Sequence, residues 1–214
     1  MGLRRVVVFR PAIAWVGLAC LVLPALVGCQ PVQSVSVHRL IAHQALIDFS
    51  GLKPAQTIED LKVTASLPQK WQALPLQKKP LYTHQQWRSP TRSTGFGVAY
   101  VHLPLPISAR TVVWFAKNQY ASQSTKDGKP EGKLIAQWTD GVGREWFEAE
   151  NAKYHITGYA VTSGFDAWIV YSGYRLKDPI NPGEVATASR SCETILPTPL
   201  VSPKPDATAT ADAK

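Results

Sequence analysis

The sequence predicts an α+β fold, in which helices cover both faces of an antiparallel sheet as an α/β/α sandwich. Two segments that read as strands carry apolar residues on both alternating faces, and two other segments have the apolar spacing of helices. A strand that is apolar on both faces generally lies in the centre of a sheet with both faces covered. Because such a sheet needs partners for its apolar faces, the helices are expected to supply that cover.

The two central strands are predicted from "TGFGVAYVHLP" and "GFDAWIVYSGY". Residues i and i+2 of a strand share a face, so the apolar side chains of each segment divide into two sets. In the first strand the sets are Phe96, Val98 and Tyr100 against Ala99, Val101 and Leu103, and in the second they are Ala167, Ile169 and Tyr171 against Trp168 and Val170. Further short strands are predicted within "LKVTASLP", "LYTHQQWRS", "KLIAQWTD", "GREWFEAEN" and "KYHITGYAV".

The two helices are predicted from "PLPISARTVVWFAKNQYASQS" and "NPGEVATASRSCETILP". In the first segment Ser108 suits the N-cap position, because its hydroxyl can accept a hydrogen bond from the first turn. Apolar residues follow it at helical spacing, namely Val112, Val113, Ala116 and Tyr120. In the second segment Pro182 lies near the start, where its missing N–H leaves no hydrogen bond unmade.

The composition favours a folded domain with a packed core. The chain of 214 residues is 45% hydrophobic and 18% charged, which excludes overall disorder. The formal net charge is +8, and three of these charges belong to arginines in the first ten residues. No run of Lys or Arg exceeds two residues. Since phosphate recognition needs a clustered basic face, nucleic-acid binding is not expected.

The N-terminus has the pattern of an export signal. The start "MGLRRVVVFR" is basic, and the 17 residues from 12 to 28 contain no charged side chain. This run is shorter than the ~20 residues that cross a bilayer as a helix, and Pro24 interrupts it. It ends in "LVGC", which resembles the lipobox of bacterial lipoproteins. The pattern therefore favours a processed signal peptide over a membrane span.

The lipobox resemblance implies that Cys29 carries a diacylglyceryl group on its thiol and becomes the first residue of the mature chain. Two or three acyl chains hold a protein on a membrane far better than one chain does. Gln30 follows this cysteine, and in enterobacteria-like sorting rules the absence of Asp there favours the outer membrane where two membranes are present. A plain secretory leader, an uncleaved anchor and twin-arginine export through "RRVVV" are the alternatives.

The expected organisation is a lipoprotein signal peptide (1–28), a polar tether (29–36), a single α/β/α domain (37–197) and a disordered tail (198–214). The domain begins with "VHRLIAHQALIDFS", which is compatible with a helix or a strand. Its His38 and His43 are five residues apart, a spacing that does not favour a metal site on one helix face. Cys192 has no expected disulfide partner, and a buried structural thiol is the favoured interpretation.

Several segments together resemble the PsbP-like or Ran-release-factor-like α/β/α sandwich. They are "SLPQKW", the mid-chain helix after a Pro-rich strand exit, "GREWFEAEN", "GFDAWIVYSGY" and the final helix ending in "ETILP". The resemblance is a pattern of elements over most of residues 60–197. It implies the family's mostly non-enzymatic roles, as accessory subunits, assembly factors or binding proteins. No functional residue is carried over, because no motif of functional residues is matched and a fold does not fix a function.

The hairpin "GREWFEAENAKYHITGYA" holds the best cluster of chemically active side chains. A turn centred on Asn151-Ala152 predicts the cross-strand pairs Glu150–Lys153, Glu148–His155 and Trp146–Thr157. One face then carries Trp146, Glu148, Glu150, Lys153 and His155, and the other carries Phe147, Ala149, Tyr154 and Ile156.

Two interpretations of Glu148, Glu150 and His155 are open. The two carboxylates lie roughly 6.5–7 Å apart along the strand, a separation at which one can act as acid and the other as base in glycoside hydrolysis. The histidine could share a proton with them. The favoured interpretation is ordinary cross-strand ion pairing on a solvated face.

The sequence lacks a G-x-S-x-G elbow, an H-E-x-x-H motif and paired C-x-x-C motifs, so nucleophilic or metal catalysis has no support and no cofactor is expected. Core packing is the expectation for most tryptophans, with an exposed ligand platform as the alternative. These residues are Trp71, Trp87, Trp114, Trp138 and Trp168.

The favoured function is a non-catalytic binding or accessory module in the cell envelope. Its expected partners are the membrane, through the lipid on Cys29, and an envelope protein. The alternatives are a glycan-active hydrolase that uses Glu148 and Glu150 and a small-ligand carrier with an aromatic-lined pocket.

Overall fold

The structure, a computed structural model, describes residues 37–121 and 132–201. Its helices are α1 (Val37–Gln44), α2 (Ala109–Ala121), α3 (Pro182–Glu193) and α4 (Thr198–Val201). Its strands are β1 (Gln56–Ile58), β2 (Val63–Ala65), β3 (Gln72–Ala73), β4 (Gln77–Lys79), β5 (Tyr82–Arg88), β6 (Thr94–His102), β7 (Gly132–Thr139), β8 (Glu145–Asn151), β9 (Tyr154–Ser163), β10 (Asp166–Arg175) and β11 (Leu196–Pro197). The fold is a mixture of helices and mostly antiparallel sheet, which confirms the predicted combination of helices with an antiparallel sheet.

The large sheet has the strand order β3-β5-β6-β10-β9-β8-β7, and β4 also pairs with β5. A small sheet has the order β1-β2-β11. All of these neighbouring strands are antiparallel. The two strands predicted to be central, β6 and β10, pair with each other in the middle of the large sheet. Their central position confirms the prediction from their two apolar faces.

The two faces of the large sheet have separate apolar clusters. On one face the sheet packs against α2, and the cluster includes Val112 and Val113 from that helix. On the other face it packs against α3, α1 and the small sheet, and the cluster includes Ala188 and Cys192 from α3. Trp168, which is 0% exposed, belongs to this second cluster.

The capping residues set the starts of α2 and α3 where the sequence predicts them. The hydroxyl oxygen of Ser108 accepts a hydrogen bond from the backbone N–H of Thr111 at 3.2 Å. The Oδ1 atom of Asn181 accepts from the backbone N–H groups of Gly183 and Glu184 at 3.0 and 3.3 Å, and Pro182 follows it as the first helical residue. These side chains satisfy N–H groups that have no acceptor within the helix.

The ambiguous N-terminal segment forms the helix α1, which joins two distant parts of the chain. Leu40 is 1% exposed and belongs to the core cluster that includes Ala188 and Cys192 of α3. Nε2 of Gln44 donates a hydrogen bond to the backbone oxygen of Glu193 at 2.8 Å. Nη1 of Arg39 donates to the backbone oxygen of Gly141 at 3.1 Å. The helix therefore spans from the end of α3 to the turn between β7 and β8.

The prediction that tryptophans pack in the core is correct for some residues and wrong for two. Trp87 and Trp168 are buried, and Trp71 packs partly buried against the same core. Trp114 and Trp138 are 51% and 41% exposed. Trp138 lies on β7, which is the end strand of the large sheet in the part of the chain that the structure describes.

The predicted signal peptide (1–28), the tether (29–36) with Cys29, and residues 202–214 of the predicted tail lie outside the described residues. The described chain continues four residues past residue 197, and the backbone N–H of Thr198 donates to the backbone oxygen of Lys62 at 2.9 Å. Within residues 37–121 and 132–201, no helix is long and apolar enough to cross a membrane.

Candidate functional site

The β8–β9 hairpin keeps its predicted faces but not its predicted register. Glu148 lies opposite Thr157, and Glu150 lies opposite His155, so the pairing is shifted by two residues from the prediction. The side chain of Asn151 explains the shift, because its Oδ1 accepts from the backbone N–H groups of Lys153 and Tyr154 at 2.9 and 2.8 Å. A shift of two leaves each side chain on its original face.

The structure brings Glu148, Glu150 and His155 together. Nε2 of His155 lies 3.1 Å from Oε1 of Glu148, and its Nδ1 lies 3.5 Å from Oε2 of Glu150. The contact with Glu148 is diagonal, since the register places the two residues two positions out of line. Lys133 on β7, and not Lys153, reaches Glu150, with Nζ 3.5 Å from Oε1. The imidazole also stacks on Tyr174, with ring centroids 5.0 Å apart.

This hairpin cluster has the composition of a surface ion-pair network. Both carboxylates share one imidazole, and Glu150 has a lysine as a second partner. The carboxyl side chains of Glu148 and Glu150 are about 30% exposed. Partly exposed pairs of this kind contribute roughly 0.2–1 kcal/mol each.

A cleft of about 530 Å³ lies between α1, the β7–β8 hairpin and the end of α3. Its lining combines apolar and charged side chains from three separate stretches of the chain. The apolar residues are Ala42, Leu46, Trp138, Val142 and Trp146, and the charged or titratable residues are Arg39, His43, Asp140, Arg144 and Glu193. The hairpin residues Glu148 and Glu150 do not line this cleft.

A row of aromatic rings crosses three strands beside the cleft. Trp138 on β7 lies opposite Trp146 on β8, and their rings are stacked with centroids 5.8 Å apart and an interplanar angle of 7°. Trp146 in turn contacts Tyr159 on β9, with centroids 4.8 Å apart. Because Trp138 is 41% exposed, its indole gives the cleft an accessible flat apolar surface.

Asp140 organises the turn that joins β7 to β8. Its Oδ1 accepts from the backbone N–H groups of Val142 and Arg144 at 3.0 and 2.9 Å. Its Oδ2 accepts from Nε of Arg144 at 2.6 Å and from the indole N–H of Trp146 at 2.7 Å. Burial alone would raise the pKa of Asp140, but these hydrogen bonds from Trp146 and Arg144 outweigh it and lower the pKa below its usual range. Gly143 completes the turn with φ of +92°, a conformation that favours glycine.

Arg144 is the most deeply buried charge of the cleft, with 3% of its surface exposed. Its guanidinium carbon lies 5.1 Å from the ring centroid of Trp146 and 4.8 Å from that of Tyr159. With Asp140 bound at Nε, the guanidinium is held along one edge and against two rings. Its Nη1 atom is buried and has no hydrogen-bond partner in the part of the chain that the structure describes.

His43 and Glu193 close the side of the cleft near α3. Nε2 of His43 lies 3.1 Å from Oε2 of Glu193 and 3.3 Å from Nη2 of Arg144. A single imidazole nitrogen either donates or accepts, so it serves one of these neighbours at a time. His43 on α1 can therefore accept a hydrogen bond from Arg144 or donate one to Glu193, but not both at once.

A second polar cluster, which the sequence did not predict, surrounds Asp166 where β6 ends and β10 begins. Its Oδ1 accepts from the hydroxyl of Tyr100 at 2.7 Å and lies 2.8 Å from Nδ1 of His102, and its Oδ2 lies 3.3 Å from Nζ of Lys62. Burial alone would raise the pKa of Asp166, but the hydrogen bonds from His102 and Tyr100 lower it. The pairing of Asp166 with His102 follows from the β6–β10 register, which a sequence without the register could not supply.

Cys192 is 4% exposed, as predicted for a structural thiol. Burial raises its pKa above the usual range, which keeps the thiol protonated and unreactive. Among the described residues, no group of three or more His, Cys, Asp or Glu side chains could hold a metal ion.

The cleft itself was not predicted, although some of its residues carried a signal. Arg39 and Gly141 are 102 positions apart, and His43 and Glu193 are 150 apart, so only the tertiary fold brings them together. The local signal was the turn "DGVGR", where an acidic residue, two glycines and an arginine follow a strand that ends in Trp138 and Thr139.

Neither a comparison with protein-family models nor a comparison with curated protein sequences finds a match for this chain. The site is therefore interpreted from its own geometry.

Proposed function

We propose that this chain is a lipid-anchored protein of the bacterial cell envelope, whose single domain is a non-catalytic binding module that holds a small ligand in the cleft beside α1. The observation that carries the proposal is the cleft of about 530 Å³, lined by the stacked indoles of Trp138 and Trp146 and by a buried arginine. Ligand sites are typically concave and apolar with a few placed polar groups, and this cleft has that composition.

The membrane part of the proposal rests on the lipobox "LVGC" at the end of an uncharged run. Lipid on Cys29 would make the membrane the first partner of the protein. From Cys29 to Val37, where α1 begins, the chain can span at most roughly 30 Å. The wall of the cleft that α1 forms would therefore stay close to the bilayer. Where two membranes are present, the residue Gln30 after the lipobox favours the outer membrane.

We also propose that the domain is an α/β/α sandwich of the PsbP-like kind. The packing of α2 on one face of the large sheet and of α3 on the other supports this architecture. The mostly non-enzymatic roles of that family agree with a binding module, and an envelope protein that recognises the loaded domain is a compatible partner.

We do not favour the glycan hydrolase that would use Glu148 and Glu150. Both carboxylates are paired with His155, and neither lines the cleft. Hydrolysis would need one protonated and one ionised carboxyl group on opposite sides of a bound sugar bond. The aromatic cleft instead favours the ligand-carrying version of the binding module.

The ligand site is tested by ¹⁹F NMR of the full-length chain, purified in detergent and labelled with 5-fluorotryptophan, during titration with a library of small ring compounds. Compounds that bind in the cleft should shift the signals of Trp138 and Trp146 and leave that of Trp114 unchanged. Trp114 is a matched control, because it is 51% exposed but lies on α2 at the opposite face. Shifts only at Trp114, or at no tryptophan, would count against the proposal.

The anchor is tested separately by metabolic labelling of cells with a fatty-acid analogue. Cys29→Ser should abolish the lipid label and leave an unprocessed precursor. Cys20→Ser is the matched control, since this cysteine lies in the same uncharged run but outside the lipobox, and it should keep both label and processing. Equal labelling of the Cys29→Ser variant would refute the anchor.

A further inference from the structure

We propose that the cleft selects ligands that carry an oxyanion, either a carboxylate or a phosphoryl group, on a flat apolar body, and that Arg144 binds the oxyanion. This inference rests on the proposed function, because it names the ligand class of the same cleft. The Nη1 atom of Arg144 is buried and has no hydrogen-bond partner among the described residues.

An unsatisfied buried donor on a charged group destabilises a folded protein, so native structures rarely leave one without a partner. Arg144 is also held in place before any ligand arrives. Asp140 binds its Nε at 2.6 Å, and the rings of Trp146 and Tyr159 lie within 5.1 Å of its guanidinium carbon. A donor group that is fixed in advance loses little entropy when its ligand binds.

The second terminal nitrogen of Arg144, Nη2, has His43 as a neighbour that can change its hydrogen-bond partner. The imidazole Nε2 that lies 3.3 Å from Nη2 also lies 3.1 Å from Oε2 of Glu193. When His43 donates to Glu193, it cannot accept from Arg144, and Nη2 then loses this acceptor. An oxyanion that displaces the imidazole can accept from both, which is the paired geometry that arginine favours.

The remaining lining suits an apolar ring attached to the oxyanion. Ala42, Leu46 and Val142 surround the cleft together with the exposed indole of Trp138. Trp138 is itself backed by the parallel ring of Trp146, so it offers a rigid surface for stacking. A ligand with charge at one end and a ring at the other matches the arrangement of Arg144 and Trp138.

The test compares benzoate and phenyl phosphate with benzamide, which has the shape of benzoate without its charge. Each probe is titrated into the full-length chain in detergent, and the ¹⁹F signals of Trp138 and Trp146 report binding. Benzoate, phenyl phosphate or both should bind at least about tenfold more tightly than benzamide. The anion that binds more tightly shows whether the cleft prefers a carboxylate or a phosphoryl group.

Two variants test whether Arg144 binds the oxyanion and whether Trp138 binds the ring. Arg144→Gln should weaken the preferred anion about tenfold or more and leave benzamide unchanged, whereas Trp138→Ala should weaken all three probes. If Arg144→Gln does not fold, the comparison of charged and uncharged probes on the unaltered chain decides the question alone. Trp114→Ala is the control that should change nothing.

The outcomes separate this inference from the function on which it rests. If benzamide binds in the cleft as tightly as both anions, or if Arg144→Gln folds and still prefers the anion, the oxyanion assignment to Arg144 is wrong while the ligand cleft stands. If none of the three probes shifts Trp138 or Trp146, both the assignment and the ligand cleft are wrong.

Discussion

Nε of Arg144 donates to Oδ2 of Asp140 at 2.6 Å across a five-residue turn, and the same carboxylate also accepts from two backbone N–H groups and an indole. One side chain therefore fixes the turn, the guanidinium and the ring of Trp146 in a single arrangement. Asp140 binds Arg144 through Nε, and Arg144 is one of the residues that line the cleft. This pair is the structural basis of the proposed ligand site.

Replacing Asp140 with Ala should lower the free energy of unfolding by about 3–5 kcal/mol, because the substitution leaves the charge of Arg144 buried without its carboxylate. Arg144 exposes only 3% of its side chain in this pair. The measurement is chemical denaturation of the purified chain at pH 7.

Asp178→Ala is the matched control for that change. Asp178 pairs with Arg175 at 3.2 Å, but its side chain is 38% exposed. The Asp178→Ala variant should lose no more than about 1 kcal/mol of its free energy of unfolding, as for other surface ion pairs. Equal losses for the two variants would show that Asp140 does not organise a buried site.

The stability of the protein should fall between pH 6.5 and pH 4 because of His84. This histidine is 1% exposed, and burial lowers its pKa to about 4 from an ordinary value of 6.5. In that window the unfolded chain binds a proton that the folded chain does not, so stability rises with pH and is lost as pH decreases. Integrated over the window, the loss amounts to about 3 kcal/mol.

Denaturation curves at several pH values check this expectation. His84→Gln should remove most of the slope between pH 4 and 6.5, while His102→Gln, which changes a histidine whose side chain is 57% exposed, should keep it. A His84 signal that titrates near pH 6.5 in an NMR experiment on the unaltered chain would contradict the prediction.

Gly158→Ala should destabilise the large sheet. An added Cβ at this position in β9 would lie 2.6 Å from the backbone oxygen of Val170 and 2.9 Å from a ring carbon of Phe147. Overpacking of this kind costs about 1–3 kcal/mol, and the backbone neighbour leaves little room to relax. Thermal unfolding measures the change.

Gly141→Ala makes the same chemical change where nothing lies within 4 Å of the new carbon. It should alter stability by less than about 1 kcal/mol, with a stabilising direction from the reduced freedom of the unfolded chain. A larger loss for Gly141→Ala than for Gly158→Ala would contradict the packing described for β9.

Replacing both Glu148 and Glu150 with Gln should leave ligand binding intact, because neither residue lines the cleft. The double variant should lose no more than about 1–2 kcal/mol of stability, the sum expected for exposed cross-strand ion pairs. Titration with the preferred probe of the cleft is the measurement. A loss of binding as large as that of Trp138→Ala would place the hairpin carboxylates in the site.

The sequence was sufficient for features that depend on local spacing. The alternating apolar sets of β6 and β10 gave their central position, and Ser108 and Pro182 marked the starts of two helices. Each of these signals lies within one element, so no knowledge of the tertiary fold was needed.

Other features depended on contacts that the sequence does not display. The hairpin register shifted by two because the side chain of Asn151 bonds two backbone N–H groups beyond the expected turn. Trp138 is exposed on β7, which is the end strand of the sheet among the described residues. The spacing of apolar residues does not predict the order of strands in a sheet. The cleft needs α1, a turn and the end of α3 at once, so its residues had no common local pattern.

The most direct test of the ligand cleft is a crystal structure of the chain grown with the tighter-binding of benzoate and phenyl phosphate. We expect the oxyanion to lie about 2.8 Å from Nη1 of Arg144 and the ring to stack on Trp138. A ligand bound elsewhere, or an empty cleft at a concentration that saturates the protein in solution, would contradict this expectation.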